Sequence, residues 1–416
     1  MALFVCLIPS CLLAESKPFK IDLDKLLNPA PDPKLINEPF QKPYLDFLKE
    51  VYDTMDREYY APLSEETYET FVKEFRLKVL TRLKDREEVV PDIKYLGAGL
   101  LVQRLKQPWD TFSNFFPPKE AEEFKSEVYG YAQGIGVTGR MTKAGYLVEK
   151  VELRSDSFAK GIVPGDIIIR INGKLVSRMS EEALNKALYP PIDTMVRLEL
   201  YKRKEKKLAA VDVKVIEFFK ETLSSVPTGI PGLFYIKINQ FNEKTGDDFV
   251  ILTAYFERQG MNKMIIDLRG NGGGPPLAAR EIASMFFPPN TDLIYFQRKN
   301  RPQIMLRTIF SRVHFQGEIA ILIDKGTGSA SELFAGTLRE HDRAILIGTE
   351  NSAGKTYLKS MYPFNDGSVL YLVTSLAYYY NGQLFDTSGL KPDFIVDENS
   401  DLFKTVDKCL DDYYAQ

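Results

Sequence analysis

Hydrophobic positions change their period along the chain, and the changes mark its parts. Between Tyr44 and Leu105 apolar residues recur at spacings of three and four, as Leu45, Leu48, Val51, Tyr52 and Met55 do in YLDFLKEVYDTMDREYY. That spacing predicts amphipathic helices, a second one running from about Glu66 to Leu83. QPWDTFSNFFPPKEAEEF then breaks at Pro117-Pro118 and restarts a short helix. From Gly134 the pattern becomes that of short strands: GIGVTGR, GYLVEKVE, GDIIIRINGKLV and TMVRLELYKRK, separated by Gly and Pro signals. One helix, Ser180 to Leu188, interrupts them with Ser180 as its N-cap. The charge run KRKEKK (202–207) reads as a solvated hairpin tip. Beyond the loop SSVPTGIPG, strands and helices alternate. LFYIKINQF, KMIIDL, EIAILID and RAILIGT are apolar strands; DDFVILTAYFERQG, LAAREIASMFF and SASELFAGTLRE are helices; SVLYLVTSLAYYY is β again. Buried strands alternating with helices mean an α/β layer fold.

Length and composition narrow the chemistry. At roughly 150 residues per domain, 416 residues make two to three domains. A net charge of −3 leaves no electrostatic footprint for nucleic acid. With two histidines (His314, His341), three cysteines (Cys6, Cys11, Cys409) and no CxxC or HExxH, no zinc site, other metal site, cofactor or disulfide framework is expected. Ala2 to Ala14 is apolar, shorter than the roughly 20 residues a membrane span needs, and suits the apolar core of a secretory signal over residues 1–16. It lacks a basic start, and Leu12 stands where a cut after Ala14 wants a small residue. Ile8-Pro9-Ser10-Cys11 is a poor lipid-attachment motif. The chain reads as exported, in the cell envelope or periplasm, with membrane association only through this segment.

Two motifs invite a wrong reading. Gly134-Ile135-Gly136-Val137-Thr138-Gly139 matches GxGxxG, but MTKAGYLVEKV after it is β in character, and a dinucleotide site needs a helix there. Gly348 to Thr356 looks like a P-loop, yet it has five residues between its glycines instead of four, and YLKSMYPFNDG downstream does not read as a helix that could receive a phosphate. A P-loop ATPase is therefore the weakest of the readings.

Three loops at strand ends remain. Asp267-Leu-Arg-Gly-Asn-Gly-Gly-Gly274 lets backbone N–H groups approach a ligand closely. Gly326-Thr-Gly-Ser329-Ala-Ser-Glu332 opens a helix with a serine, which could equally be a simple N-cap. Gly354-Lys355 follows RAILIGT; alone, that lysine would be a surface group. Together, DLRGNGGG, GSASELFAGTLREHDRA, the GK pair and DGSVLYLVTSLAYYYNGQLFDTSGLKPDFIV resemble the carboxyl-terminal processing (tail-specific) serine proteases. WDTFSNFFPPKEAEEF is similar to the segment before that family's PDZ domain. YAQGIGV and AKGIVPGDIIIRINGKLV look like the PDZ carboxylate-binding loop and central strands. The resemblance covers about residues 40–398.

It implies an α/β protease core of crotonase-like ββα layers (222–416), a β-rich PDZ domain (119–221) and an N-terminal helical region (17–118). Ser329 matches the nucleophile and Lys355 the general base of a Ser–Lys pair. Ala330 and Gly273 match the oxyanion hole, with Gly274 nearly as good as Gly273. Gly134, Ile135 and Gly136 match the substrate-binding loop, which would take protein C-termini ending in small or apolar residues. A homo-oligomer is compatible with the family. Ser331 is the alternative nucleophile, and a Ser-His-Asp triad has little support because His341 lies on the Ser329 helix. Two features depart from the family: Lys359 stands where Gln usually follows the lysine by four, and the Ser329-to-Lys355 spacing of 26 is one longer than usual. They sustain a rival reading, a catalytically silent peptide-binding scaffold.

Overall fold

The computed structural model describes residues 3–5, 42–65, 67–78, 90–309, 315–385, 387–397 and 401–415. Apart from a three-residue strand at Leu3–Val5, the signal-like segment lies outside the described residues, as do the leader after it and His314. The chain divides into two compact units, one of residues 129–222 and one joining residues 1–128 to 223–416.

The N-terminal helices are α1 (Lys42–Glu58), α2 (Tyr68–Lys78) and α3 (Val90–Leu105). Their spacing of three and four does what it implies: Phe47, Leu48, Val51 and Met55 bury one face of α1. With β1 (Asn114–Phe116) they form an aromatic-rich cluster, Phe47 meeting Phe115 edge-on at 5.9 Å. Leu370, Leu372 and Val373 complete that cluster from far down the chain. Tyr60 N–H donates to Val373 O, and Val373 N–H to Ser113 Oγ. The described part of the helical region expected over 17–118 thus shares one unit with the C-terminal part, where its apolar faces are covered. Helix α4 (Pro118–Tyr129) begins on a proline, which suits a first helical turn. Its Phe124 stacks on Phe116 and meets Tyr371 edge-on, at 4.2 and 4.8 Å. This packing keeps α4 out of the β-rich unit, which begins at Tyr129 and not at residue 119.

That unit contains β2 (Tyr131–Gly134), β3 (Val137–Thr142), β4 (Gly145–Val151), β5 (Ile167–Ile171), helix α5 (Glu181–Leu188), β6 (Met195–Lys202), β7 (Lys207–Lys214) and β8 (Ile216–Phe219). An antiparallel sheet runs in the order β3-β4-β5-β6-β7, and β2 pairs with β8. KRKEKK closes the β6–β7 hairpin, Lys202 facing Lys207. Ser180 Oγ caps α5 by accepting from Ala183 N–H, and Leu184 and Leu188 seat the helix on the core.

After residue 223 come β9 (Leu233–Ile238), α6 (Thr245–Arg258), β10 (Lys263–Asp267), α7 (Pro276–Ala283), β11 (Asp292–Arg298), β12 (Ile304–Arg307), β13 (Glu318–Ile323), α8 (Ala330–Glu340), β14 (Ile345–Gly348), β15 (Tyr357–Pro363), β16 (Val369–Tyr379), β17 (Phe394–Ile395) and α9 (Leu402–Tyr414). Strands β9, β10, β13, β14 and β17 form a parallel sheet in that order. Ile236, Ile266 and Ile321 pack on one side with residues of α6, α7 and α8, while Tyr235, Ile265 and Ala320 face Val406 and Leu410 of α9 on the other. Burial on both faces is why these strands read as continuous apolar runs. A second, antiparallel sheet has the order β15-β16-β11-β12, with β1 on β16. The architecture is mixed α/β. After Lys355 the chain enters β15, and after Gly136 it enters β3. Neither glycine-rich motif opens a helix, so neither makes the phosphate site its letters suggest.

Candidate active site

The three glycine-bearing loops leave the carboxyl ends of β10, β13 and β14, where open α/β sheets place their sites. Asp267, fully buried at the end of β10, accepts from Tyr235 Oη at 2.7 Å and pairs with the Arg269 guanidinium, whose Nη2 lies 2.6 Å away. The following loop is laced to the serine loop. Asn271 O accepts from Gly328 N–H at 3.0 Å, Leu268 O accepts from Thr327 Oγ1 at 2.9 Å, and Asp324 Oδ1 accepts from Gly270, Gly326 and Thr327 N–H.

Two of its glycines are required by space as well as by dihedral angle. Gly273 has φ 111°, and a Cβ there would lie 2.7 Å from Ser329 Cβ and 3.0 Å from Ala330 N. Gly274 has φ 140°, and its Cβ would lie 2.1 Å from Phe241 O. The Gly273 N–H, expected as an oxyanion donor, is engaged: Asn271 Oδ1 accepts it at 2.8 Å, while Asn271 Nδ2 donates to Ile238 O. Ala330 is the first residue of α8, so its N–H has no intrahelical acceptor.

Ser329 precedes α8 with φ 61° and ψ −121°. That left-handed region costs an L-residue about 1–2 kcal/mol, a strain typical of functional turns. Its Oγ is buried and has no hydrogen-bond partner among the described residues, so the hydroxyl is hydrogen-bonded neither to the helix N-terminus nor to Lys355 Nζ. Ser331 Oγ is likewise unpartnered, but it is Ser329 that the Gly273 backbone abuts.

Glu332 joins the serine turn to the lysine turn. Its side chain is wholly buried; Oε2 accepts from Ser329 N–H at 2.8 Å and from Lys355 N–H at 2.7 Å, and Oε1 accepts from Ser352 Oγ and Gly354 N–H, both at 2.6 Å. Burial pushes this carboxyl above its usual range, while the four donors pull it back. The sequence reading gave Glu332 no role. Its spacing from Ser329 is that of a capping box and could have disclosed the first bond. Nothing local announces the other three, which cross 20 residues or more.

Lys355 is half-buried on a turn whose Gly354 has φ 70° and lies so close to Thr387 O that a Cβ would reach 2.1 Å. Its side chain runs to the serine turn: a Cβ on Gly328 would lie 3.5 Å from Lys355 Cδ. Lys359, on β15, is 1% exposed with Nζ 3.8 Å from the centroid of Phe112. Both lysines line one cavity of about 710 Å³. His341, at the far end of α8, is roughly 18 Å from Ser329 at 1.5 Å per residue. Its Nε2 lies 3.0 Å from Asp292 O and its ring stacks on Tyr380, so it makes no triad with Ser329. Among the described residues no His, Cys, Asp and Glu cluster could hold a metal.

In the β-rich unit, Gly134 ends β2 opposite Ile216, and Gly136 turns the chain at φ 73°. The Ile135 N–H, expected to receive a substrate carboxylate, instead donates to Leu188 O at 3.1 Å. The end of α5 has carbonyls without intrahelical partners, and this loop supplies one. Beside it, edge strand β3 and α5 border a groove of about 330 Å³ lined by Arg140, Tyr146, Leu184, Leu188 and Tyr189, among others.

Residues 232–396, which hold Ser329, Lys355, Glu332 and the glycine loop, match Peptidase family S41. The chain is 25% identical over 371 residues to a protein of Staphylococcus saprophyticus described as a probable CtpA-like serine protease, covering 86% of this chain and 66% of the relative. It is 26% identical over 310 residues to the chloroplastic carboxyl-terminal-processing peptidase 3 of Arabidopsis thaliana, covering 71% and 59%. The chain therefore spans less than two thirds of the length of these curated relatives. Its fold is similar to that of the photosystem II D1 C-terminal processing protease, with a TM-score of 0.50 at 19% identity over 88% of this chain and 97% of that one. No helix among the described residues is long and apolar enough to cross a membrane.

Proposed function

We propose that this chain is a serine endopeptidase of the C-terminal processing type, with Ser329 as nucleophile and Lys355 as general base. The observation that carries the reading is the strained, buried Ser329 with an unpartnered hydroxyl, bound through Glu332 to the turn that bears Lys355. A neutral Lys355 takes the Oγ proton as Oγ bonds to the scissile carbonyl carbon. The carbonyl oxygen becomes an oxyanion beside Ala330 N–H, and Gly273 N–H joins once that oxygen replaces Asn271 Oδ1; Gly274 N–H lies next along the loop. The C–N bond then breaks, and the lysine returns its proton to the leaving amine. Water, losing a proton to Lys355, hydrolyses the acyl-enzyme. Lysine ordinarily titrates near 10.4, so its partly buried site has to favour the neutral form.

The substrates we assign are exported proteins cut near their C-termini. Residues 129–222 would act as a PDZ domain: the terminus adds as a strand along β3, its last side chain enters the groove beside Leu184 and Leu188, and the Ile135–Leu188 bond opens to receive the carboxylate. The engaged Gly273 N–H and the absence of a Ser329–Lys355 hydrogen bond also favour a second reading, a scaffold that binds peptides without cutting them. Incubation with a protein ending in small apolar residues, read by intact mass, separates the two. Truncation by the wild type and none by Ser329→Ala supports the peptidase; equal peptide binding without truncation supports the scaffold.

A further inference from the structure

In the β-rich unit the groove beside β3 has a direction. Ile135 N–H donates to Leu188 O, so the carboxyl end of α5 lies at the loop that opens β3. Glu181, the first residue of α5, is seven residues back from Leu188, about 10 Å along the helix axis at 1.5 Å per residue. A chain whose terminal carboxylate sits at Ile135 therefore runs antiparallel to β3, away from the loop and toward the start of α5. Side chains of an added strand alternate, so the last residue and the third from the end share the groove, about 6.6 Å apart. The last one meets Leu184 and Leu188, both buried. The third from the end lies further along, where Met141, Met179 and Glu181 line the groove.

Charge along the groove is uneven. Among the residues that line it, Arg140 and Glu181 are charged. Arg140 is balanced within the sheet, its Nε 2.8 Å from Glu149 Oε1. On α5, Glu182 pairs with Lys186 at 2.7 Å. Glu181 is exposed and has no ion-pair partner among the described residues. A lysine or arginine third from the end would lay its methylene stem along Met141 and Met179 and bring its charge to the Glu181 carboxylate. An acid at the same place would meet a like charge.

We propose that Glu181 selects protein C-termini in which a lysine or arginine stands two residues before a small or apolar last residue. The inference rests on the reading of residues 129–222 as a PDZ domain. Glu181 is the specificity-determining anion; β3 takes the backbone of the terminus, and Leu184 and Leu188 take its last side chain.

The test measures binding, so that it does not depend on turnover. Fluorescein-labelled ten-residue Ala/Leu peptides end in X-Ala-Val, with X as Lys, Gln or Glu, each as free acid and as amide. Anisotropy titrations use the full chain with Ser329→Ala. Among the free acids, Lys binds about three- to fivefold more tightly than Gln, as one partly exposed ion pair allows, and Glu binds more weakly than Gln. The preference shrinks as salt is raised. Adding Glu181→Gln brings the Lys-to-Gln ratio to about one, and Glu181→Lys reverses the order, so that Glu binds best. Lys moved to the second or fourth position from the end, where its side chain leaves the groove, gives no preference. Equal binding of the three free acids, a Lys preference at every position, or one that survives both substitutions overturns the proposal. If the free acids still bind more tightly than the amides, terminus capture stands and only this inference is lost. If acid and amide bind alike, or neither binds, the capture reading fails and this inference fails with it.

Discussion

Removing the Glu332 carboxylate tests whether the serine and lysine turns are held as one unit. The carboxylate accepts four hydrogen bonds: Ser329 and Lys355 N–H on one oxygen, Ser352 Oγ and Gly354 N–H on the other. Glu332→Ala strips three backbone N–H groups of their acceptor. Each buried donor left unsatisfied costs roughly 1–3 kcal/mol, so the sum is roughly 3–9 kcal/mol against a total stability of about 5–15. Glu332→Gln is milder. With its amide oxygen toward Ser329 and Lys355 and its nitrogen toward Ser352, whose hydroxyl can turn to accept, only Gly354 N–H is orphaned, for about 1–3 kcal/mol. Thermal unfolding measures the stability, and the rate of phosphonate labelling at Ser329 measures the site. Both should fall in the order wild type, Gln, Ala, with the Gln variant still folded and labelling at a measurable rate. An alanine variant that melts and labels like wild type would refute the reasoning, because the four contacts would then hold nothing in place.

Further outcomes follow from single positions. Gly273→Ala places a Cβ 2.7 Å from Ser329 Cβ at φ 111°, so Ser329 labelling should drop about 10²-fold while the far-UV circular dichroism spectrum is kept. Ser329→Gly relieves the left-handed strain at φ 61° and should raise the unfolding free energy by about 1 kcal/mol, read as a higher Tm, even though activity is abolished. Burial against Phe287 and Tyr380 lowers the His341 pKa below its ordinary 6.5, so the folded chain binds that proton less readily than the unfolded one. Its contribution is complete above the unfolded value and is lost as pH falls from there through the lower folded value, so His341→Gln should flatten the decline of Tm on the acid side of 6.5.

The elements were legible where one period held over many residues. Apolar runs such as KMIIDL and EIAILID became the parallel strands they imply, and the Ser180 cap was readable from its own helix. Domain limits were less legible. Whether α4 joins the β-rich unit depends on Phe124 finding Phe116 and Tyr371, contacts that no local pattern encodes. At the site, close backbone approach left its mark as glycine in the loops, but the roles given to Ser329 and Lys355 came from the family resemblance, because each residue alone reads as a helix cap or a surface group. The engagement of Ile135 by Leu188 and of Glu332 by the lysine turn did not show, since each depends on partners distant in the chain, and that of Gly273 by Asn271, two residues away, was missed although it is local. Lys359 was visible as a departure; that it is buried over Phe112 was not.

The most direct test of the Ser329–Lys355 account is labelling by a serine-reactive phosphonate, read by intact mass, on wild type, Ser329→Ala and Lys355→Ala, with an apolar C-terminal peptide present to open the site. The account expects one phosphonyl adduct on the wild type and none on either variant. Equal labelling of the Ser329→Ala chain, or no labelling of the wild type, would contradict it.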